Sequence, residues 1–313
     1  MMPNQEFDII GDIHGHADKL VQLLEKLEYT LVDGRYQHAT RKVVFLGDFI
    51  DRGPRQRGVM QIVMPMVQQG SALAVMGNHE FNALAFHTNH NGYEDRWLRA
   101  RSNKNIQQHM RFIEEYGPLN DELRDVLDFF YTLPLWLDLG GIRIVHACWE
   151  ATHIQQLKNC SLVTSEGLMT PEFLIRASQK GTPEYDAIEA LLKGVEYNLP
   201  PGKYFTDKDG HDRTAIRTKW WINEDSLLED VVLPSGILDE KTNKLPVSRD
   251  ELVGYDASEK PVFFGHYWFQ GTPERVSSNV ACLDYSVAKN GKLVAYRWSG
   301  EDSLSNDNFI FVS

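Results

Sequence analysis

Three short blocks near the N-terminus bring carboxylates, imidazoles and an amide close together in the chain. GDIHG carries Asp12 and His14, GDFIDRG carries Asp48, Asp51 and Arg52, and GNHE carries Asn78 and His79. Carboxylate oxygens, an amide carbonyl and imidazole nitrogens are the donors that divalent transition metals accept. Arg52 offers a planar fork that matches phosphate oxygens. Each block alone has an ordinary reading: a surface turn, an Asp–Arg salt bridge, or a helix cap by Asn78. Together they supply what a metal pair at about 3.5–4 Å separation needs, namely several O and N donors around a shared ligand. Asp48 is the natural bridge. A buried carboxylate is rarely left without a partner, and a cation is one way to satisfy it.

Such side chains need elements to aim them. Each block follows a short apolar run: Phe7–Ile10, Val43–Leu46 and Ala72–Met76. Two further runs, Ile142–Val145 and Val262–Phe264, precede His146 and His266. Short apolar runs bounded by Gly read as buried strands, and polar groups at strand ends suit the site-bearing edge of an α/β sheet. In an extended segment alternate side chains point the same way, so Asp12 and His14 are expected to face one ion. Between the runs lie helical patterns. His16–Tyr29 aligns Leu20, Leu23, Leu24 and Leu27 on one face. Pro54–Gln69, Asn78–His87 and Asn120–Thr132 read as further helices, the first with Pro near its first turn.

The stretch from about 150 to 250 lacks any such strand–ligand turn; it carries Pro, Gly, many charges and the pair Trp220–Trp221. It reads as a cap or insertion in a single domain spanning 1–313, returning to the core at Pro261. The two tryptophans are expected in the core of that insertion, or as a stacking surface. The segment VACLDYSVAKNGKLVAYRW reads as a β-hairpin turning at Asn290–Gly291.

The formal net charge of -12 disfavours general duplex binding, which depends on Lys and Arg neutralising phosphates. It leaves room for a small phosphorylated substrate, since ions or arginines can reverse the field inside a cleft. Three cysteines without a CxxC pair point to a reducing compartment. The N-terminus has neither a basic n-region nor a long apolar run, so no leader is expected, and no membrane span is expected. These readings converge on a cytoplasmic protein.

The set GDxHG, GDxxDRG and GNHE resembles the calcineurin-like metallophosphoesterase superfamily, in particular the branch of phosphoprotein phosphatases and bacterial diadenosine tetraphosphatases. The resemblance implies an α/β (α+β) fold, a four-layer αββα sandwich with two divalent metals between its sheets. It implies two later metal histidines, for which His146 in RIVHACW and His266 in FFGHYW are the candidates; the family commonly has HGG or HAG where this chain has His146-Ala147-Cys148. One metal is then expected on Asp12, His14 and Asp48, the other on Asp48, Asn78, His146 and His266. A water bound to both would lose its proton near neutral pH and attack phosphorus. Arg52 would grip the non-bridging oxygens, and His79, oriented by Asp51, would protonate the leaving group. The family uses a second phosphate arginine, for which Arg213 and Arg217 are candidates and Arg217 is preferred.

The function expected is a binuclear metal-dependent phosphatase acting on a phosphoprotein or small phosphorylated molecule, with Mn²⁺ first among the metals and Fe or Zn²⁺ as alternatives. The alternative reading is hydrolysis of a dinucleoside polyphosphate. A non-catalytic scaffold and a nuclease rank below both. His87, His90, His109, His153 and His211 have no motif around them and are set aside as surface or core residues. Cys148 lacks the Cys-x5-Arg loop of a thiol phosphatase and is set aside as a nucleophile.

Overall fold

The apolar runs that precede the three motif blocks become neighbouring parallel strands. In the computed structural model, which describes residues 5–90, 96–206 and 210–313, the strand Glu6–Ile10 pairs with Arg41–Phe45, and Arg41–Phe45 with Ala72–Ala74. Ile10 stands opposite Phe45, and Phe45 opposite Ala74. All three blocks therefore leave the sheet at one edge, where parallel strands deliver ligands. On the other flank the strand Lys292–Trp298 pairs antiparallel with Glu6–Ile10 and takes Asp284–Tyr285 and Phe309–Val312 as its own partners. The six strands form one sheet.

A second, four-stranded sheet carries the later histidines. Val262–Phe264 runs parallel to both Arg143–Val145 and Val280–Cys282, and Trp136–Asp138 pairs antiparallel at one edge. His146 and His266 follow the ends of the two central strands. Phe7, Ile9, Val44 and Val294 of the first sheet and Ile144, Phe263 and Ala281 of the second share one buried apolar cluster. The two sheets thus meet face to face over a common core. Alternate residues Ile10, Val43 and Phe45 are also buried, so the first sheet is covered on both faces, as parallel sheets are. The helices Ala17–Lys26 and Gln56–Gln68 pack against it, the first through Leu20, Leu23 and Leu24.

Helix boundaries follow the sequence patterns closely, with Pro54 just outside the Gln56–Gln68 helix. The tail differs from its expected form. Asp284–Tyr285 and Lys292–Trp298 do form an antiparallel pair, with Asn290 left-handed at the turn. Val280–Cys282, however, pairs with Val262–Phe264 in the other sheet. The chain changes sheets at Leu283, whose N–H still bonds Phe264 O.

Contacts divide the chain into two compact units, one of Met1–Leu192 with Lys260–Ser313 and one of Lys193–Glu259. The helices Ala151–Lys158 and Pro171–Ala177 belong to the first unit. The second unit holds a three-stranded sheet of Val232–Leu233, Ala215–Thr218 and Glu196–Asn198 over a core that includes Ile216, Leu228 and Val231. Trp220 and Trp221 are buried and meet edge-on, as core residues do. Among the described residues no helix is long and apolar enough to cross a membrane. The first four residues, part of the segment read as lacking a leader, lie outside the described residues.

Candidate active site

The turn after each motif strand is fixed by backbone bonds between blocks. Ile13 N–H and His14 N–H both donate to Asp48 O, and Gly15 N–H donates to Phe49 O. The segment is not extended through His14, in contrast to the alternation expected of it: His14 turns into the left-handed region at φ +46 because these bonds curl it onto the second block. Asp48, Asp51, Arg52 and His266 have positive φ as well. Non-glycine residues held there cost of order 1–3 kcal/mol each and cluster at functional sites. Two glycines make room for carboxylates. A Cβ on Gly265 would lie 2.0 Å from Asp12 Oδ1, and one on Gly77 would lie 2.3 Å from Asp48 Oδ1.

Imidazoles converge on Asp48. His14 Nε2 lies 3.6 Å from Asp48 Oδ2, and His146 Nε2 lies 3.5 Å from Asp48 Oδ1. His14 and His146 direct Nδ1 at the carbonyls of Ile50 and Leu46, at 3.1 and 2.7 Å. Those bonds fix the tautomer and leave Nε2 facing the site, the usual outer-shell arrangement of a metal histidine. Among the described residues two groups of side chains have ligand atoms close enough to hold an ion: His14, Asp48 and His79, and Asp48, His146 and His266. Asp48 is common to both. Asn78 Oδ1 joins the second group, 3.1 Å from His146 Nε2.

Asp12 completes this constellation from the side. Its Oδ2 accepts His266 N–H at 3.1 Å, while Oδ1 is buried without a hydrogen-bond partner among the described residues, as is His14 Nε2. Burial, with Asp284 and Asp48 nearby, pushes the Asp12 carboxyl well up. Burial also pulls His14 down to about 3, so that imidazole is neutral and able to ligate. Burial raises Asp48, but His146, His79 and His14 outweigh it and hold the carboxylate ionised. Orphaned buried donors of O and N type around a shared carboxylate fit divalent cations.

Beside these groups stands an acid pair. His79 Nδ1 lies 2.5 Å from Asp51 Oδ2. Burial disfavours the imidazolium, yet Asp48 and Asp51 outweigh it, so His79 is raised. The guanidinium of Arg52 reaches to 3.5 Å from His79 Nε2 and stacks on the Trp268 ring at 4.2 Å. Such stacking holds a planar fork in one orientation.

Four residues here had no role expected from the sequence, although Glu80 closes GNHE and Trp268 closes FFGHYW. His109, expected to be an ordinary surface or core histidine, is buried and places Nδ1 2.7 Å from Asp51 Oδ1. Its signal was present: His109 falls on the apolar face of the Asn103–Tyr116 helix with Phe112 and Tyr116, where an imidazole needs a partner. Glu80 accepts the N–H groups of Asp48, Phe49 and Gly77, tying two blocks together. Asp284 accepts Trp268 N–H and Ser286 N–H. Trp268 is the fourth. Arg213 and Arg217 lie on strands of the second unit. Burial, then Glu150, pushes the Cys148 thiol well up, away from nucleophilic use.

The sequence model for the calcineurin-like phosphoesterase family matches residues 6–164. The chain is 31% identical to the asymmetrical bis(5'-nucleosyl)-tetraphosphatase PrpE of Oceanobacillus iheyensis over 45% of this chain and 55% of that protein. It is 45% identical to the protein of the same name from Halalkalibacterium halodurans over 24% of this chain and 30% of the relative. The chain thus spans about half or less of the length of these relatives. Among solved structures, the cold-active protein-tyrosine phosphatase of a psychrophilic Shewanella species superposes with a TM-score of 0.50 at 14% identity, covering 97% of this chain and 83% of that one. That likeness speaks to the α/β fold alone.

Proposed function

The chain belongs to the calcineurin-like phosphoesterase family, and from that premise we propose that it is a metal-dependent hydrolase of phosphate esters or anhydrides. The observation that carries the proposal is the sharing of Asp48 by both ion-holding groups. Asp12, His14 and Asp48 would hold one divalent ion, and Asp48, Asn78, His146 and His266 the other. When bound, the pair supplies Lewis acidity, lowering the pKa of water and neutralising charge on phosphoryl oxygens. Arg52, fixed on Trp268, orients the phosphoryl group through its fork. His79 delivers a proton from Nε2 to the leaving oxygen, and Asp51 keeps the ring turned and stabilises its charge. No residue need become phosphorylated. Mixed O and N donors suit Mn²⁺, Fe or Zn²⁺, with Mn²⁺ the ion proposed first.

His79 also belongs to the first ion-holding group, which makes it a candidate ligand. Its Nδ1 bond to Asp51 orients the ring for the donor role proposed here, and the metal content of His79→Ala separates the two roles.

The substrate is a phosphoprotein or a small phosphorylated molecule in the first reading. The second reading, a dinucleoside polyphosphate, draws support from the names of the sequence relatives. Arg217 remains the proposed second phosphate arginine. Three free cysteines support a reducing, cytoplasmic setting.

The test is turnover of p-nitrophenyl phosphate, a phosphopeptide and diadenosine tetraphosphate after chelator treatment and return of Mn²⁺. Activity is expected to vanish with chelator and return with metal. Absence of turnover on all three with Mn²⁺, Fe²⁺ and Zn²⁺ would refute the reading.

A further inference from the structure

A small polar cavity of about 90 Å³ opens beside the acid, lined by Asp51, Arg52, His79, Asn82, Arg99 and Gln108 among others. Asn82 stands one turn beyond Asn78 on the Asn78–His87 helix, and Asn105 and Gln108 come from the Asn103–Tyr116 helix. Arg99 closes the space between these helices. Its backbone is anchored by a bond to Ala85 O, and its guanidinium donates to Asn82 Oδ1 at 2.9 Å and Gln108 Oε1 at 2.8 Å. These bonds use two of five N–H groups and hold the fork in place. Among the described residues Asp51 is the one carboxylate of the lining, and each of its oxygens is already engaged, by His79 and by His109. The cavity is therefore cationic and rich in amide donors, with Phe86 its single apolar side chain among the described residues.

The acid must touch the leaving oxygen, so a cavity that shares His79 faces whatever that oxygen is attached to. We propose that this cavity is a phosphate-binding subsite, filled by a phosphate that carries the leaving oxygen, with Arg99 as its specificity-determining residue. The inference rests on the hydrolase reading and selects phosphoanhydrides within it. In the step, the water oxygen bonds to the attacked phosphorus and releases one proton to solvent, while the bond from that phosphorus to the bridging oxygen breaks. The electron pair leaves on the bridging oxygen of the departing phosphate, whose charge Arg99 and the His79 proton offset. A larger cleft of about 530 Å³, sharing Arg52, His79 and Gln108, continues past Met110 and Arg111. That volume lies within the roughly 300–1,000 Å³ of small-molecule sites, enough for the remainder of a nucleotide-sized leaving group.

The experiment compares wild type, Arg99→Gln and Gln108→Glu, all loaded with excess Mn²⁺. Gln108 is exposed, so its variant is expected to fold even where Arg99→Gln does not, and its new carboxylate repels phosphate. Calorimetry reads affinity for inorganic pyrophosphate and for inorganic phosphate. The pyrophosphate-to-phosphate affinity ratio is expected to fall about 10- to 100-fold in either variant, the worth of one charge-assisted fork contact. The ratio of kcat/KM for diadenosine tetraphosphate to that for p-nitrophenyl phosphate is expected to fall with it. An unchanged affinity ratio, or equal losses for both ligands, overturns the subsite. Failure of wild type to turn over any substrate, with the affinity ratio still dependent on Arg99, overturns the hydrolase reading and leaves the subsite standing.

Discussion

Asp51 gives one carboxylate oxygen to each of two imidazoles, His79 and His109. This geometry makes the acid ring depend on a residue outside the motif blocks. Burial raises Asp51, but His109 and then His79 outweigh it, and the carboxylate is held far below its ordinary range. Removing the His109 donor leaves a buried acceptor unsatisfied, at a cost of about 1–3 kcal/mol, and frees the carboxylate to turn away from His79. In His109→Leu, kcat on p-nitrophenyl phosphate is expected to drop about ten-fold or more with KM and metal content little changed. His109→Asn presents an amide N–H near the same point and is expected to recover most of kcat; equal losses in the two variants would reduce His109 to packing. Asp48→Asn and His79→Ala are each expected to lower kcat by about 100-fold or more. Metal analysis separates their roles: Asp48→Asn loses bound ion, while His79→Ala keeps two ions per chain if His79 is the acid and loses one if it is a ligand. Asp48 and His79 were legible because a motif encloses them. His109 was legible only as an imidazole on an apolar helix face in want of a partner; nothing in that stretch announces that the partner is a carboxylate 58 positions away.

Strands and helices were legible where one physical signal dominates. An apolar run stopped by Gly marks the strand Val262–Phe264, and a 3.6-residue repeat marks the helix Ala17–Lys26. Which sheet a strand joins was not legible, since Val280–Cys282 and Lys292–Trp298 read equally as a hairpin and differ only through partners remote in sequence. The left-handed turns at His14, Asp48 and His266 were also hidden, because no glycine marks them; bonds between blocks impose them. The Asn78–His87 helix carries a second consequence at its end. Burial, then the neighbouring His109 and Arg101, pulls His87 down to about 4, whereas an unfolded histidine titrates near 6.5. The unfolded chain therefore takes up this proton first as pH falls. Stability due to neutral His87 is complete above about pH 6.5 and is lost on descending toward pH 4. With partial exposure discounted, the effect is on the order of 1–3 kcal/mol. His87→Phe, which keeps ring contacts with His109 and Phe112, is expected to flatten the fall in urea midpoint of metal-stripped protein between pH 6.5 and 4. The same slope in both proteins would count against it.

At the scale of the molecule, the net charge of -12 is partly an internal matter. Asp12, Asp48, Glu80 and Asp284 are all buried at one sheet edge, and Asp12, Glu80 and Asp284 are pushed up by burial and by neighbouring carboxylates. The fold brings together acids that repel one another, and the motif blocks made most of that concentration legible in the amino-acid sequence. The Lys193–Glu259 unit was less readable, since short strands of two to four residues leave too brief a periodic signal to place them. Because the acids converge on Asp48, cations bound there stabilise the folded state over an unfolded chain that scatters the ligands. Each ion at about 100 times its dissociation constant contributes roughly 2.7 kcal/mol. Two such ions are expected to raise Tm by about 10 °C or more, at roughly 2–4 °C per kcal/mol for a domain this large. Thermal melts with chelator and with Mn²⁺ measure the difference. Asp48→Asn tests the shared ligand: if both ions depend on it, the variant loses most of the Mn²⁺-induced rise, read against its own metal-free melt. A rise halved but not lost would mean that one ion binds without Asp48, and the binuclear reading would give way to two separate single-ion sites.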